Sequence, residues 1–159
     1  MPYQQIYIRQ PRTKKNNKFG AIPTVFHNHG YDSKLEASYA QELDQRQKLK
    51  EILEWRPHVL LHLKTYGQKF CDYEIDFELE HLDNTIEYVE VKSPPTCTPQ
   101  WKKNWRILEN LLSHIETCRK RECMCKDDWP FPVPWELRHN VRITVAMQRN
   151  NWRPFRKRN

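Results

Sequence analysis

The sequence predicts one α/β domain on a mixed sheet, and three features carry that expectation. Two segments show helical periodicity behind capping signals. Residues 69–82 alternate apolar and acidic side chains almost without fault, as a strand does. A helix stands between the third and last predicted strands, which permits a parallel crossover. At 159 residues the chain has the length of one domain with a real core. Its 12% aromatic content is too high for a disordered chain. No apolar run approaches the roughly 18 residues of a membrane span. The first fifteen residues lack the apolar region of a secretory signal. Five cysteines with no export signal point to a reducing cytosol and not to a disulfide scaffold.

Along the chain, residues 1–17 read as a basic, flexible arm, residues 18–147 as a single domain, and 148–159 as a basic C-terminal tail. From Lys18 to Tyr31, apolar stretches alternate with turn residues such as His27-Asn28-His29-Gly30, which predicts a small hairpin. Asp32-Ser33 opens a helix that runs to about Lys50. Ser33 and Glu36 have capping-box spacing, and Leu35, Tyr39, Ala40 and Leu43 share a face. Pro57 is expected to interrupt the segment after this helix, leaving His58–Leu63 as the first strand. After a turn at 65–68, Lys69 to Leu82 forms the second strand. Tyr73, Ile75, Phe77 and Leu79 are expected on its apolar face. Asp72, Glu74, Asp76, Glu78 and Glu80 are expected on an acidic face. Asp83-Asn84 makes a turn, Ile86 to Lys92 the third strand, and Ser93-Pro94-Pro95 ends it.

Thr98-Pro99 supplies an N-cap and a first-turn proline for a second helix reaching about Cys118. Trp101, Trp105, Leu108, Leu111, Leu112 and Ile115 fall on its core side, while Lys102, Lys103 and Arg106 lie off that stripe. Residues 119–136 are a charged, Cys- and Pro-rich insertion. Val141–Met147 is the last strand. Short turns make the first three strands an antiparallel meander.

Charge is unevenly placed. The excess of 27 Lys/Arg over 20 Asp/Glu suggests a polyanionic partner. Residues 1–31 and 137–159 carry twelve basic residues and no acid, so the body between them is net acidic. The basic positions include Lys14, Lys15 and Lys18 at one end and Arg149, Arg153, Arg156, Lys157 and Arg158 at the other. Such ends can grip phosphates, and Trp152 and Phe155 between the arginines can stack on bases. They can also be solvated tails that aid solubility.

The acidic strand face needs a cause. Same-face neighbours stand roughly 6.6 Å apart, where like charges repel by roughly 2.5 kcal/mol at an effective dielectric of 20. Solvent tolerates this, whereas a cleft requires a cation or a shifted pKa. Glu90 and Lys92 share a face of the next strand, so Asp76 and Glu90-Val91-Lys92 can converge. One or two carboxylates with a carbonyl and waters make a hard oxygen site suited to Mg²⁺. Glu36 can instead be only a capping residue, Asp76 one exposed acid among several, and Glu90 and Lys92 an ion pair.

Asp76, with Glu90-x-Lys92 fourteen residues later, resembles the active-site signature of the PD-(D/E)XK nuclease superfamily. Glu36 on the preceding helix resembles its first acidic motif, and the order helix, three strands, helix, strand resembles its restriction-endonuclease-like core. More narrowly, Phe19-Gly20, the Tyr31 to Ala37 segment, the Glu51-Ile52 start, Ile75-Asp76-Phe77 and Val89 to Ser93 look like a phage-associated endonuclease-like family. That family is similar in layout to the donor-cutting subunit of Tn7-type transposons and to phage head-completion nucleases. The resemblance spans about residues 18–147 without the insertion. Ile75 stands where the superfamily name has proline.

The resemblance implies a Mg²⁺-dependent DNA endonuclease, with Mn²⁺ as a substitute ion. Asp76, Glu90, the Val91 carbonyl and Glu36 would hold metal. Lys92 would orient water or stabilise the phosphate. Lys102, Lys103 and Arg106 would face the scissile phosphate. It further implies duplex or branched DNA as partner, a homodimer or a phage or transposition partner protein, and a place in the bacterial cytoplasm or the virion. A non-catalytic DNA-binding or virion-assembly module that keeps the fold is the alternative, and an RNA-directed nuclease is a third. Separately, Cys118, Cys123, Cys125 and His139 can form a Zn²⁺ site, or the cysteines can be free thiols in a loop.

Overall fold

The computed structural model describes residues 21–65, 67–117, 130–131 and 140–147. A short hairpin comes first, with β1 at Thr24–Phe26 and β2 at His29–Tyr31. Its turn residues His27 and Asn28 have φ of 47° and 64°. Two left-handed residues in succession suit a tight hairpin whose twist matches its strands. Helix α1 spans Lys34–Lys48, with Ser33 as N-cap and Arg46 and Lys48 in the last turn, where cations complement the helix dipole. Lys50, at φ 58°, turns the chain out of the helix.

A four-stranded sheet comes next, in the order β3-β4-β5-β6. Its strands are β3 (Ile52–Thr65), β4 (Gln68–His81), β5 (Ile86–Lys92) and β6 (Val141–Met147). β3, β4 and β5 are antiparallel, and β6 lies parallel to β5. Helix α2, at Pro99–Thr117, makes the crossover between the parallel pair. The mixed sheet, the meander and the parallel last strand are as expected from the sequence.

The helices cover opposite faces. Ala37, Ala40 and Leu43 of α1 pack with Val89 and Val91 of β5. Trp105 and Leu108 of α2 pack with Ile86 and Tyr88 of the same strand. Odd and even positions of β5 therefore feed two separate cores. Leu43 and Leu108 are fully buried, each worth about 2 kcal/mol of transfer free energy.

Two expectations need correction. Pro57 does not interrupt the first strand but lies within β3, paired with Phe77. β3 is the outer strand among the described ones, where a residue's N–H position can face away from the ladder. Nor does β4 keep one apolar and one acidic face along its length. Phe77 and Leu79 join the α1 core, whereas Tyr73 and Ile75 join the α2 core. The division falls at Asp76. β3 divides at the matching place, with Trp55 on the α1 side and Val59, Leu61 and Leu63 on the α2 side. Between them His58 has φ 55°, a left-handed residue within a strand. The β3–β4 ribbon turns over there. Glu78 is also not solvated: it is buried and paired with Arg56.

A polar cluster fixes β6 against β5. Thr144 Oγ1 donates to Glu87 at 2.6 Å, Arg142 Nη2 donates to it at 2.8 Å, and the His81 ring lies at 2.6 Å. Burial alone would raise the Glu87 carboxyl, but these hydrogen bonds outweigh it and hold the pKa below the usual carboxylate value. Its stabilisation is therefore complete above the unfolded-state pKa and is lost as pH falls through the folded one. Glu87→Ala is expected to cost about 2 kcal/mol at pH 7, after allowance for the half-exposed Arg142. In urea titrations the gap to wild type should close towards pH 3.

Candidate active site

The site begins where two strands part. The β4–β5 ladder runs from Glu80↔Ile86 to Phe77↔Val89 and then stops. At the next position the Asp76 side chain takes over from backbone, and its Oδ2 accepts the Val91 N–H at 2.7 Å. The turnover of the β3–β4 ribbon opens this fork, and the carboxylate occupies it. β5 continues in parallel register with β6 as far as Lys92↔Met147. Glu90 and Lys92 thus stay on a supported strand beside the fork. They share the parity of Ile86 and Tyr88, which places them on the α2 face.

Glu90 is almost fully buried. Its Oε1 pairs with the Lys92 ammonium, and both side chains are largely withdrawn from solvent. Lys92 Nζ also stands 5.6 Å from the centroid of the Trp101 ring, in cation–π range. Thr98 Oγ1 caps α2 by accepting the Trp101 N–H at 3.2 Å, which anchors that ring at the start of the helix. Asp76 is tightly surrounded but keeps part of its surface open.

Glu36 serves two ends. Its Oε1 accepts the Ser33 hydroxyl at 2.8 Å and its Oε2 accepts the Asp32 N–H at 3.2 Å, while Ser33 Oγ accepts the Glu36 N–H. The capping box expected from the sequence is therefore formed. The same carboxylate faces the fork closely enough to influence both Asp76 and Lys92. Beside it, His58 Nε2 lies 3.1 Å from the Gly30 carbonyl oxygen and Nδ1 lies 3.5 Å from Glu74, tying the hairpin to the sheet.

The electrostatics are strongly coupled. Burial, and then the Glu90 and Glu36 charges, raise Asp76 well above the ordinary carboxylate value, against the pull of Lys92 and the Val91 N–H. Burial likewise raises Glu90 despite Lys92. Burial also raises Glu36, although Ser33 counteracts it. For Lys92 burial works downward, but Glu90, Asp76 and Glu36 outweigh it and the pKa ends up raised. Three carboxyl groups thus compete for one ammonium. Such a site is short of positive charge.

The donor set decides whether a divalent cation fits. Among the described residues no three His, Cys, Asp or Glu side chains stand grouped as a ready metal cage. The cap engages both Glu36 oxygens, and Lys92 engages Glu90 Oε1. Glu90 Oε2, however, is buried with no hydrogen-bond partner among the described residues. The unpaired Glu90 oxygen beside the Asp76 carboxyl makes a pair of hard donors. Asp76 and Glu90 supply oxygen donors of the kind a divalent cation takes.

Of the residues expected in the site, Glu36, Asp76, Glu90 and Lys92 are brought together. Lys102, Lys103 and Arg106 are exposed on the first turns of α2, next to Trp101. Lys103 Nζ lies 5.9 Å from the exposed Phe70 ring. The basic residues Lys14, Lys15, Lys18, Arg149, Arg153, Arg156, Lys157 and Arg158 lie outside the described residues. So do Cys118, Cys123, Cys125 and His139 and nearly all of the 119–136 insertion. Cys71 and Cys97 are free thiols. Tyr73 and Trp101, which the sequence assigned to the core, do join the α2 core, and Trp101 also lies under the Lys92 ammonium. No described helix is long and apolar enough to cross a membrane.

Comparisons with known proteins add one match. A family model described as "Protein of unknown function (DUF1064)" matches residues 16–117. That span holds the hairpin, both helices, three strands of the sheet and the four clustered residues. No curated protein and no solved structure matches the chain. With well over half its length matched, the chain belongs to the DUF1064 family of proteins.

Proposed function

We propose that this chain is a metal-dependent DNA endonuclease with a PD-(D/E)XK-type active site. The observation that carries this reading is the fork. Asp76 sits where β4 leaves β5, with Glu90 and Lys92 beside it and Glu36 facing it from α1. An arrangement with excess buried carboxylate and one ammonium suits a divalent ion and a phosphodiester together.

Asp76, Glu90, Glu36 and the Val91 carbonyl would hold Mg²⁺ or Mn²⁺. When bound, the ion would supply an activated water and neutralise charge on the departing oxygen. Lys92 would donate to a phosphate oxygen once a cation relieves its pairing with Glu90. Lys102, Lys103 and Arg106, exposed at the start of α2, would meet the flanking phosphates. The two basic ends add the charge for a sequence-independent grip. Duplex or branched DNA from phage recombination or packaging fits these features, and a homodimer or a phage partner would allow two strands to be cut.

The test is cleavage of supercoiled plasmid and of a four-way junction with Mg²⁺, Mn²⁺ or EDTA. Nicking that needs the divalent ion and disappears in Asp76→Ala and Lys92→Ala is expected. Cleavage that survives both substitutions would sink the assignment. Salt-sensitive DNA binding with no nicking under any divalent ion would favour a non-catalytic DNA-binding or virion-assembly module.

A further inference from the structure

We infer that Tyr73 and Trp101 are positioning residues that aim the free oxygen of Glu90 through a Trp101→Tyr73→Glu90 hydrogen-bond relay. The inference rests on the metal-site reading above and assigns two further residues to that site.

Three buried polar atoms belong to neighbouring side chains, with Trp101 packed against the cluster that holds Tyr73 and Lys92 over the Trp101 ring. They are Glu90 Oε2, the Tyr73 hydroxyl and Trp101 Nε1, and each lacks a hydrogen-bond partner at bonding geometry among the described residues. Leaving one such atom unpaired is costly, and three on neighbouring side chains call for a shared cause. They are close enough to act on one another, since Tyr73 senses both Trp101 and Glu90. Donor chemistry then fixes the direction. An indole N–H can only donate and an ionised carboxylate can only accept. Tyr73 must therefore accept from Trp101 and donate to Glu90. The three atoms fall short of full bonding geometry, as is common for catalytic hydrogen bonds before ligand binds.

Each end of the relay is anchored. Trp101 is fixed by the α2 cap and by stacking on Trp105, at 5.9 Å between centroids. Tyr73 comes from the part of β4 that has turned over to the α2 face, beyond Asp76. Lys92 takes Glu90 Oε1. The relay thus meets the carboxylate at the one oxygen that Lys92 leaves open. Outer partners of this kind orient metal-ligating carboxylates, and losing one typically lowers metal affinity about 10–100-fold.

The experiment is Mn²⁺ binding by calorimetry and electron paramagnetic resonance, with no DNA present. It compares wild type, Tyr73→Phe, Trp101→Phe, the double variant and Asp76→Ala. Tyr73→Phe removes one oxygen and keeps the ring, so folding is expected to persist. Mn²⁺ affinity should fall at least tenfold in Tyr73→Phe and by a smaller factor in Trp101→Phe. The double variant should bind no worse than Tyr73→Phe, because the two residues act as one chain. Excess Mn²⁺ should restore the wild-type resonance spectrum of Tyr73→Phe. Wild-type affinity in Tyr73→Phe together with lost binding in Asp76→Ala overturns the relay and leaves the metal site standing. Unchanged affinity in Asp76→Ala overturns the metal site itself. Should Tyr73→Phe fail to fold, Trp101→Phe carries the same decision.

Discussion

Asp76→Asn is expected to lower DNA cleavage about 1,000-fold while making the metal-free protein more stable. The loss corresponds to about 4 kcal/mol of barrier and is the scale seen when a preorganised electrostatic group is removed. The gain comes from the fork. Asn retains an oxygen to accept the Val91 N–H, so the strands stay joined. What disappears is a carboxyl whose pKa burial, Glu90 and Glu36 have raised. For an acid whose folded pKa lies above its unfolded one, stability falls as pH rises through the folded value. Wild type therefore carries a penalty on the alkaline side that Asn does not. We expect a gain of about 1–2 kcal/mol at pH 8 in EDTA, vanishing towards pH 4. Mn²⁺ should raise the melting temperature of wild type and not of the variant, since a ligand stabilises only the state it binds. Thermal melts across pH, with and without Mn²⁺, check all three parts. An Asn variant less stable than wild type at pH 8 would refute the account.

Lys92→Leu should have the opposite sign. Lys92 is the ammonium shared by Glu90, Asp76 and Glu36. Removing one member of a largely buried pair leaves an uncompensated charge and costs about 3 kcal/mol. For a chain of this length that lowers the melting temperature by roughly 10 °C. The lysine's own pKa is raised, so its contribution is complete below the unfolded value and constant between pH 5 and 9. Any pH dependence in that range comes from the carboxyls. Without Lys92 their folded pKa values rise further, so the deficit should be largest at pH 8 and shrink at pH 5 as they take up protons. Unfolding at the two pH values reads this directly, and a deficit independent of pH would show that Lys92 contributes packing and not charge.

Much of this site was legible because its parts are local. Ser33 and Glu36 announced a cap by their spacing, and the cap is there. Glu90 and Lys92 were placed on one face by the period of a strand, and they pair. The β5–β6 crossover was implied by the helix between them. What a period cannot show is a break in its own phase. Counting by twos put Tyr73 and Phe77 on one surface, but a left-handed His58 on the neighbouring strand sends them to different cores. Pro57 read as an interruption because sequence does not reveal which strand will be outermost. The orphaned oxygens of Glu90 and Tyr73 depend on three elements meeting, and no one-dimensional pattern encodes that.

The Pro57-His58 kink has a second consequence, for the chain's behaviour among its neighbours. A fourteen-residue outer strand with Leu53 and Leu60 exposed would be a template for other chains to add on, backbone to backbone. An imide with no N–H to offer, followed by a residue of reversed twist, divides that border into two short runs. The same bend that opens the fork at Asp76 thus also interrupts the row of donors and acceptors along which aggregation would spread.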